Sequence, residues 1–175
     1  MSTIAGATPT QQELADKSAI TDILHLHSRG LDRQDASLLE AAYWPDANVD
    51  YGSFVGPAMQ FAPLVVGALG QQYQLTRHSI SNIMIEFRSD QALVESHVIA
   101  THLLHSGTDE LMFFSRYLDR MEKRDGCWRI LHRQVVMDWC RRHTFEDERG
   151  AEGFAGLAKG NSEKDPLDAF LGEGE

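Results

Sequence analysis

The chain has 175 residues, a formal net charge of −10 and 42% hydrophobic residues. That length suits one domain with a core of its own, and the acidic balance argues against nucleic acid or an anionic membrane surface as partner. No apolar run reaches the roughly 18 residues of a membrane span, and no basic-then-apolar leader pattern opens the chain, so the cytoplasm is the expected location.

Residues 1–9 are small and polar and are expected to be disordered. Thr10-Gln11-Gln12-Glu13 fits a capping box, in which the Glu side chain reaches back to the cap residue. A helix is expected from there to about Leu31, with Leu14, Ile20, Ile23, Leu24, His27 and Leu31 on its buried face. Asp35 can cap a second, short helix through Leu38, Leu39 and Ala42, which Pro45 stops. Ala47 to Tyr51 reads as a short strand, and Gly52 and Gly56-Pro57 mark a turn. A third helix, Pro57 to Tyr73, is apolar on much of its surface and is expected to cover a sheet.

The next stretch alternates as strands: His78 to Arg88, Ala92 to His105, Glu110 to Lys123 and Cys127 to Cys140. Turn sequences separate them, among them Asp125-Gly126, a strong hairpin signal. Long consecutive strands at hairpin spacing imply one curved antiparallel sheet. With three helices before it, the fold class is α+β, a cone-shaped barrel of curved sheet packed against three N-terminal helices, with a deep pocket. The cone domain is expected over residues 10–141, followed by a polar tail over 142–175 whose apolar anchors include Phe154, Leu157 and Phe170.

Cys127 and Cys140 make no disulfide framework and read as ordinary thiols. The eight histidines invite a metal reading, but no His-x-x-x-His or Cys-x-x-Cys spacing supports one. His78, His102 and Asp32 could form a two-His, one-carboxylate set, a minority reading beside the expectation of no metal.

Asp32 and His78 are the leading functional candidates. A carboxylate near a helix C-terminus is electrostatically unfavourable, which suggests a partner such as an imidazolium. A carboxylate that orients an imidazole makes a general base. Arg133 alternates with His132 and Gln134 and therefore faces away from them. His102 shares a face with Val98 and Ala100 and would line the pocket with them. Leu24, Leu64, Val98, Phe113 and Met137 would give that pocket an apolar wall.

Leu31-Asp32-Arg33-Gln34-Asp35, Tyr43-Trp44-Pro45-Asp46-Ala47, Asp50-Tyr51-Gly52, Thr76-Arg77-His78 and the hairpin Asp119 to Ile130 together resemble the SnoaL-like subgroup of the nuclear transport factor 2-like superfamily. Within it the chain is similar to scytalone dehydratase, bile-acid 7α-dehydratase and hexachlorocyclohexane dehydrochlorinase. That resemblance implies a lyase without metal or organic cofactor, with Asp32 and His78 as its catalytic pair. It implies pocket roles for Tyr51 and for Arg133. His27 stands five residues before the aspartate, where these relatives carry another polar pocket residue. One of the dehydratases also has a second pocket histidine from the region of His102.

The expected function is a cofactor-independent lyase or isomerase acting on a small hydrophobic cyclic molecule. Two alternatives stay open: a polyketide-cyclase-like or ketosteroid-type enzyme, and a non-catalytic small subunit of an aromatic-ring dioxygenase. The latter would leave Asp32 and His78 too far apart to bond, or away from any cavity. The outer sheet face, with Phe114 and Leu118, is expected to be covered by another copy, giving a homo-oligomer, dimer or trimer.

Overall fold

The computed structural model describes residues 8–160 and 165–172. Most of the segment expected to be disordered, residues 1–7, lies outside these.

Helix α1 (Gln11–Arg33) starts at the expected capping box: Thr10 accepts from the Glu13 amide at 3.1 Å, and Glu13 accepts from the Thr10 amide at 2.6 Å. It buries Ile20, Leu24, His27 and Leu31, while Leu14, near the start, is left exposed. Gln34 ends it in the left-handed region at φ 54°. Helix α2 (Ala36–Ala42) is capped by Asp35, whose side chain accepts from the Ser37 and Leu38 amides. The two helices meet at Gly30, where a Cβ would lie 2.9 Å from the Leu39 side chain, so no larger residue fits without movement.

Two junctions pass straight from helix to strand. Strand β1 (Tyr43–Asp50) follows α2 at once, and strand β3 (Tyr73–Arg88) follows helix α3 (Ala58–Gln72). Both strands begin earlier than expected, because no glycine punctuates either junction and Pro45 falls inside β1. Its lack of an N–H is tolerated where the ladder is irregular, between Tyr43 and Asn48. Short strand β2 (Val55–Pro57) pairs with β1 as an edge.

Strands β3, β4 (Gln91–Leu104), β5 (Asp109–Arg124) and β6 (Cys127–Thr144) form the expected antiparallel meander. Among the described residues the sheet order is β2-β1-β6-β5-β4-β3, with β1 joined to β6 in parallel. Register shifts at Ser81/Met84 and Phe114/Ser115 add bends to the curved, unclosed sheet. Its concave face and the helices enclose the main core, with Ile20, Leu24, Tyr43, Val49, Phe61, Met121 and Ile130. A second cluster, Leu31, Leu39, Ala62 and Leu69, locks the three helices together.

After β6 the chain makes two single 3₁₀ turns (Glu148–Gly150 and Glu152–Phe154), and further on a short helix α4 (Leu167–Gly172). Arg149 reaches Gln74 at 3.3 Å, and Asp165 pairs with Arg33 at 3.0 Å, which ties the tail to the end of α1. Among the described residues no helix is long and apolar enough to cross a membrane.

Candidate active site

The last turn of α1 and the middle of β3 bring the two leading candidates together. His78 Nδ1 lies 2.8 Å from Asp32 Oδ1, with side-chain exposures of 7% and 23%. An ionised carboxylate only accepts, so Nδ1 carries the hydrogen and Nε2 of the neutral ring is left with a lone pair.

His78 also lines a cavity of about 250 Å³ between α3 and the concave sheet. Val65, Val98, Phe113 and Val135 supply apolar wall, and Tyr51, His102, Ser115 and Tyr117 bring polar atoms to it. Met137 lines it and is half exposed. Two expected wall residues are elsewhere. Leu24 is sealed in the core beside Ile20, and Leu64 points outward at 58% exposure while its neighbour Val65 turns inward.

Asp32 does not line this cavity. It borders a groove between α1 and β3 with Ser28 and Arg29, and a larger space of about 660 Å³ under the tail, beside Leu75, Thr76 and Phe154. Among the described residues His78 alone lines both the cavity and the α1–β3 groove. The carboxylate thus approaches His78 from outside the cavity.

The remaining candidates divide into two groups. Tyr51 and His102 line the cavity with His78. Tyr51 stacks on Phe61 at 4.1 Å. His102 stacks on Tyr73 at 4.3 Å, meets His78 edge-on at 5.6 Å, and its Nδ1 is 2.8 Å from the Thr76 hydroxyl. His27 and Arg133 are fully buried and lie outside the cavity lining. Arg133 donates two bonds to Asp119, at 2.7 and 2.6 Å, and a third from Nη1 to His27 Nδ1 at 2.9 Å. Its guanidinium lies 4.0 Å over the ring of Tyr117, a wall residue. His27 Nε2 meets the hydroxyls of Tyr43 at 2.9 Å and Tyr51 at 3.4 Å.

Asp119, Tyr43 and Thr76 belong to this arrangement and were missed from sequence. Period-2 alternation could have found Asp119, which shares the inward face of β5 with Ser115, Tyr117 and Met121. Among the described residues no group of three or more His, Cys, Asp or Glu side chains is placed to hold a metal ion.

Burial sets the ionisation of both further histidines. It holds His27 well below the usual imidazole value, and the Arg133 charge adds to this. Burial pushes His102 down to about 3, with the neighbouring His78 as the smaller cause. The native rings therefore stay neutral at a pH where the unfolded chain's histidines, near 6.5, take up protons. The unfolded state binds more protons in that window, so this contribution is full above pH 6.5 and is lost as pH falls from there toward 3. Each ring adds a slope of up to about 1.4 kcal/mol per pH unit. Urea unfolding at pH 7 and pH 5 should show a lower midpoint at pH 5, and His102→Gln should flatten the dependence. A midpoint unchanged or higher at pH 5 would contradict neutral burial.

The fold is the nuclear transport factor 2-like cone, here with an imidazole–carboxylate pair beside an apolar cavity. Residues 12–134 match the SnoaL-like domain, and the chain belongs to that family. It is 27% identical over 121 residues to hexachlorocyclohexane dehydrochlorinase 1 of Sphingobium indicum, covering 67% of this chain and 78% of the relative. The structure is similar to that of a scytalone dehydratase-like protein from Novosphingobium aromaticivorans, with TM-score 0.70 and 25% identity over 79% of this chain and 97% of the other. A dehydrochlorinase from Novosphingobium barchaimii shares the fold at TM-score 0.68 and 23% identity, over 75% and 92% of the two chains.

Proposed function

We propose that the protein is a lyase or isomerase that removes a proton from carbon in a small, hydrophobic, cyclic substrate, with His78 as general base and Asp32 as its orienting partner. The observation that carries this is the 2.8 Å bond between Asp32 and His78 at the wall of an apolar cavity. Asp32 accepts from Nδ1, which fixes the tautomer and supports the imidazolium formed when Nε2 takes the proton. The apolar wall favours a neutral ring over a charged substrate. The non-catalytic subunit reading needs the two groups apart or away from a cavity, which this geometry does not favour.

The dehydrochlorinase and dehydratase relatives support elimination as the reaction type. Tyr51 and His102 are proposed as substrate contacts from the cavity wall. His27 and Arg133 act on the substrate through Tyr51 and Tyr117. No step in this scheme calls on a cofactor. The test is product analysis on cyclic β-hydroxy ketones and chlorinated cyclohexanes. Loss of water or hydrogen chloride supports elimination, and a product of unchanged mass supports isomerisation. No turnover of any member, with the ligands shown to bind, would overturn the enzymatic reading.

The same reading places the protein in the cytoplasm as a homo-oligomer assembled through the outer sheet face. Phe114 and Trp139 stack at 3.7 Å there, Trp139 is 51% exposed, and Met84, Leu93 and Leu118 line a groove of about 500 Å³ on that face. Exposed apolar surface of this kind marks interaction sites. Light scattering should return a multiple of 19.6 kDa, and a monomer across the micromolar range would contradict it.

A further inference from the structure

We infer that His27, locked by Arg133 as the tautomer with hydrogen on Nε2, is a positioning residue that turns the hydroxyl hydrogen of Tyr51 into the cavity, where it binds a carbonyl oxygen of the substrate. This deepens the reading of His78 as base and rests on it.

The hydrogens fix the direction of each bond in this network. A guanidinium has donors and no acceptor. Arg133 Nη1 lies 2.9 Å from His27 Nδ1, so Nδ1 must offer its lone pair. Arg133 is itself held by two bonds to the buried carboxylate of Asp119 and cannot swing away without stranding it. The ring of His27 is neutral, held so by burial and by the adjacent cation. Its one ring hydrogen therefore sits on Nε2.

That nitrogen faces two phenol oxygens, Tyr43 at 2.9 Å and Tyr51 at 3.4 Å, and both act as acceptors toward it. Tyr43 is fully buried, so its own hydrogen needs a partner. The neighbour that receives it in this proposal is Tyr51, whose oxygen faces the same His27 nitrogen. The oxygen of Tyr51 is thus met by donors from the protein side. Its ring is fixed by stacking on Phe61, leaving the O–H torsion as its freedom. The hydrogen turns to the side the donors do not occupy, which is the cavity that Tyr51 lines. The chain of donors runs Arg133, His27, Tyr43, Tyr51, substrate, with the positive charge at its origin.

The chemistry this suits is specific. His78 Nε2 takes a proton from the carbon next to a carbonyl, the C–H pair moves into the carbon–carbon bond, and the carbonyl π pair moves to oxygen. The resulting enolate oxygen is held by the Tyr51 O–H, which keeps its proton. A donor preset toward developing charge does not have to reorient during the reaction. The substrate class is therefore a neutral cyclic ketone or a compound with an equivalent acceptor oxygen.

Two measurements test this without turnover. Long-range ¹H–¹⁵N correlation spectra of labelled protein should show His27 with protonated Nε2 and bare Nδ1 from pH 5 to 8. The opposite tautomer, or an imidazolium, overturns the inference. Binding of 1-tetralone is then compared with tetralin, which has the same rings and no carbonyl. Tyr51→Phe and His27→Leu should each weaken 1-tetralone by roughly three- to tenfold and leave tetralin within about twofold. His27→Gln, which can accept from Arg133 and donate to the phenols, should keep the preference for the ketone. An equal loss of both ligands in His27→Leu, or an undiminished ketone preference in Tyr51→Phe, overturns it. An inactive protein that passes both tests would sink only the base assignment. An active one with the wrong tautomer would sink only the role of His27.

Discussion

His78→Ala should lower kcat on any substrate the protein turns over by roughly 100- to 10,000-fold, the usual worth of a positioned general base. The change removes the one imidazole that touches both the cavity and Asp32 among the described residues. Asp32→Asn should fall to a similar level for a different reason. Its amide can donate to Nδ1 and so invite the tautomer with hydrogen on Nε2, which removes the lone pair facing the substrate. Groups that act as a unit lose activity non-additively, so the double variant should be no slower than the worse single one. KM should change little in both, because neither group supplies much uniform binding. A His78→Ala enzyme within about threefold of wild type would remove the base assignment.

Arg133→Met should cost roughly 3–5 kcal/mol of stability, the scale for breaking a buried ion pair from one side. Arg133 and Asp119 are both without exposed side-chain surface. Removing the guanidinium leaves Asp119 as an uncompensated buried charge. It also leaves His27 Nδ1 without its donor and Tyr117 without the cation over its ring. Since a domain is stable by only about 5–15 kcal/mol, the variant should unfold at a markedly lower urea concentration. The paired change Arg133→Met with Asp119→Leu should recover most of the loss, because replacing both partners by apolar groups strands no charge. A single variant within about 1 kcal/mol of wild type would contradict the cost expected for breaking this buried pair from one side.

The strand core of this fold is plain in the sequence. Alternation marks the four long strands, and turn sequences such as Asp125-Gly126 separate them. The capping box at Thr10 and the cap at Asp35 fix the helix starts through local bonds. The junctions at Tyr43 and Tyr73 were harder, since a chain that turns from helix to strand without glycine leaves no punctuation to read. The parallel pairing of β1 with β6 joins segments distant in sequence, and it depends on packing rather than on any local motif. At the site, the pairing of Asp32 with His78 was legible through their surroundings. The place of Arg133 was only half legible: strand alternation gives its inward direction, but only the fold shows that Asp119 and His27 meet it first, behind the wall of Tyr117. Leu64 failed for a related reason, because a helix apolar on several faces does not declare which one looks into the cavity.

The proposed chemistry rests on Nε2 of His78 taking a proton from carbon. The most direct measurement is deuterium incorporation from D₂O next to the carbonyl in a panel of one- and two-ring ketones, followed by NMR for wild type, His78→Ala and Asp32→Asn. Exchange above the buffer rate is expected with wild type for ketones that bind, and exchange at the buffer rate with both variants. Ketones that bind in the cavity yet exchange no faster than in buffer, or exchange that persists in His78→Ala, would contradict it.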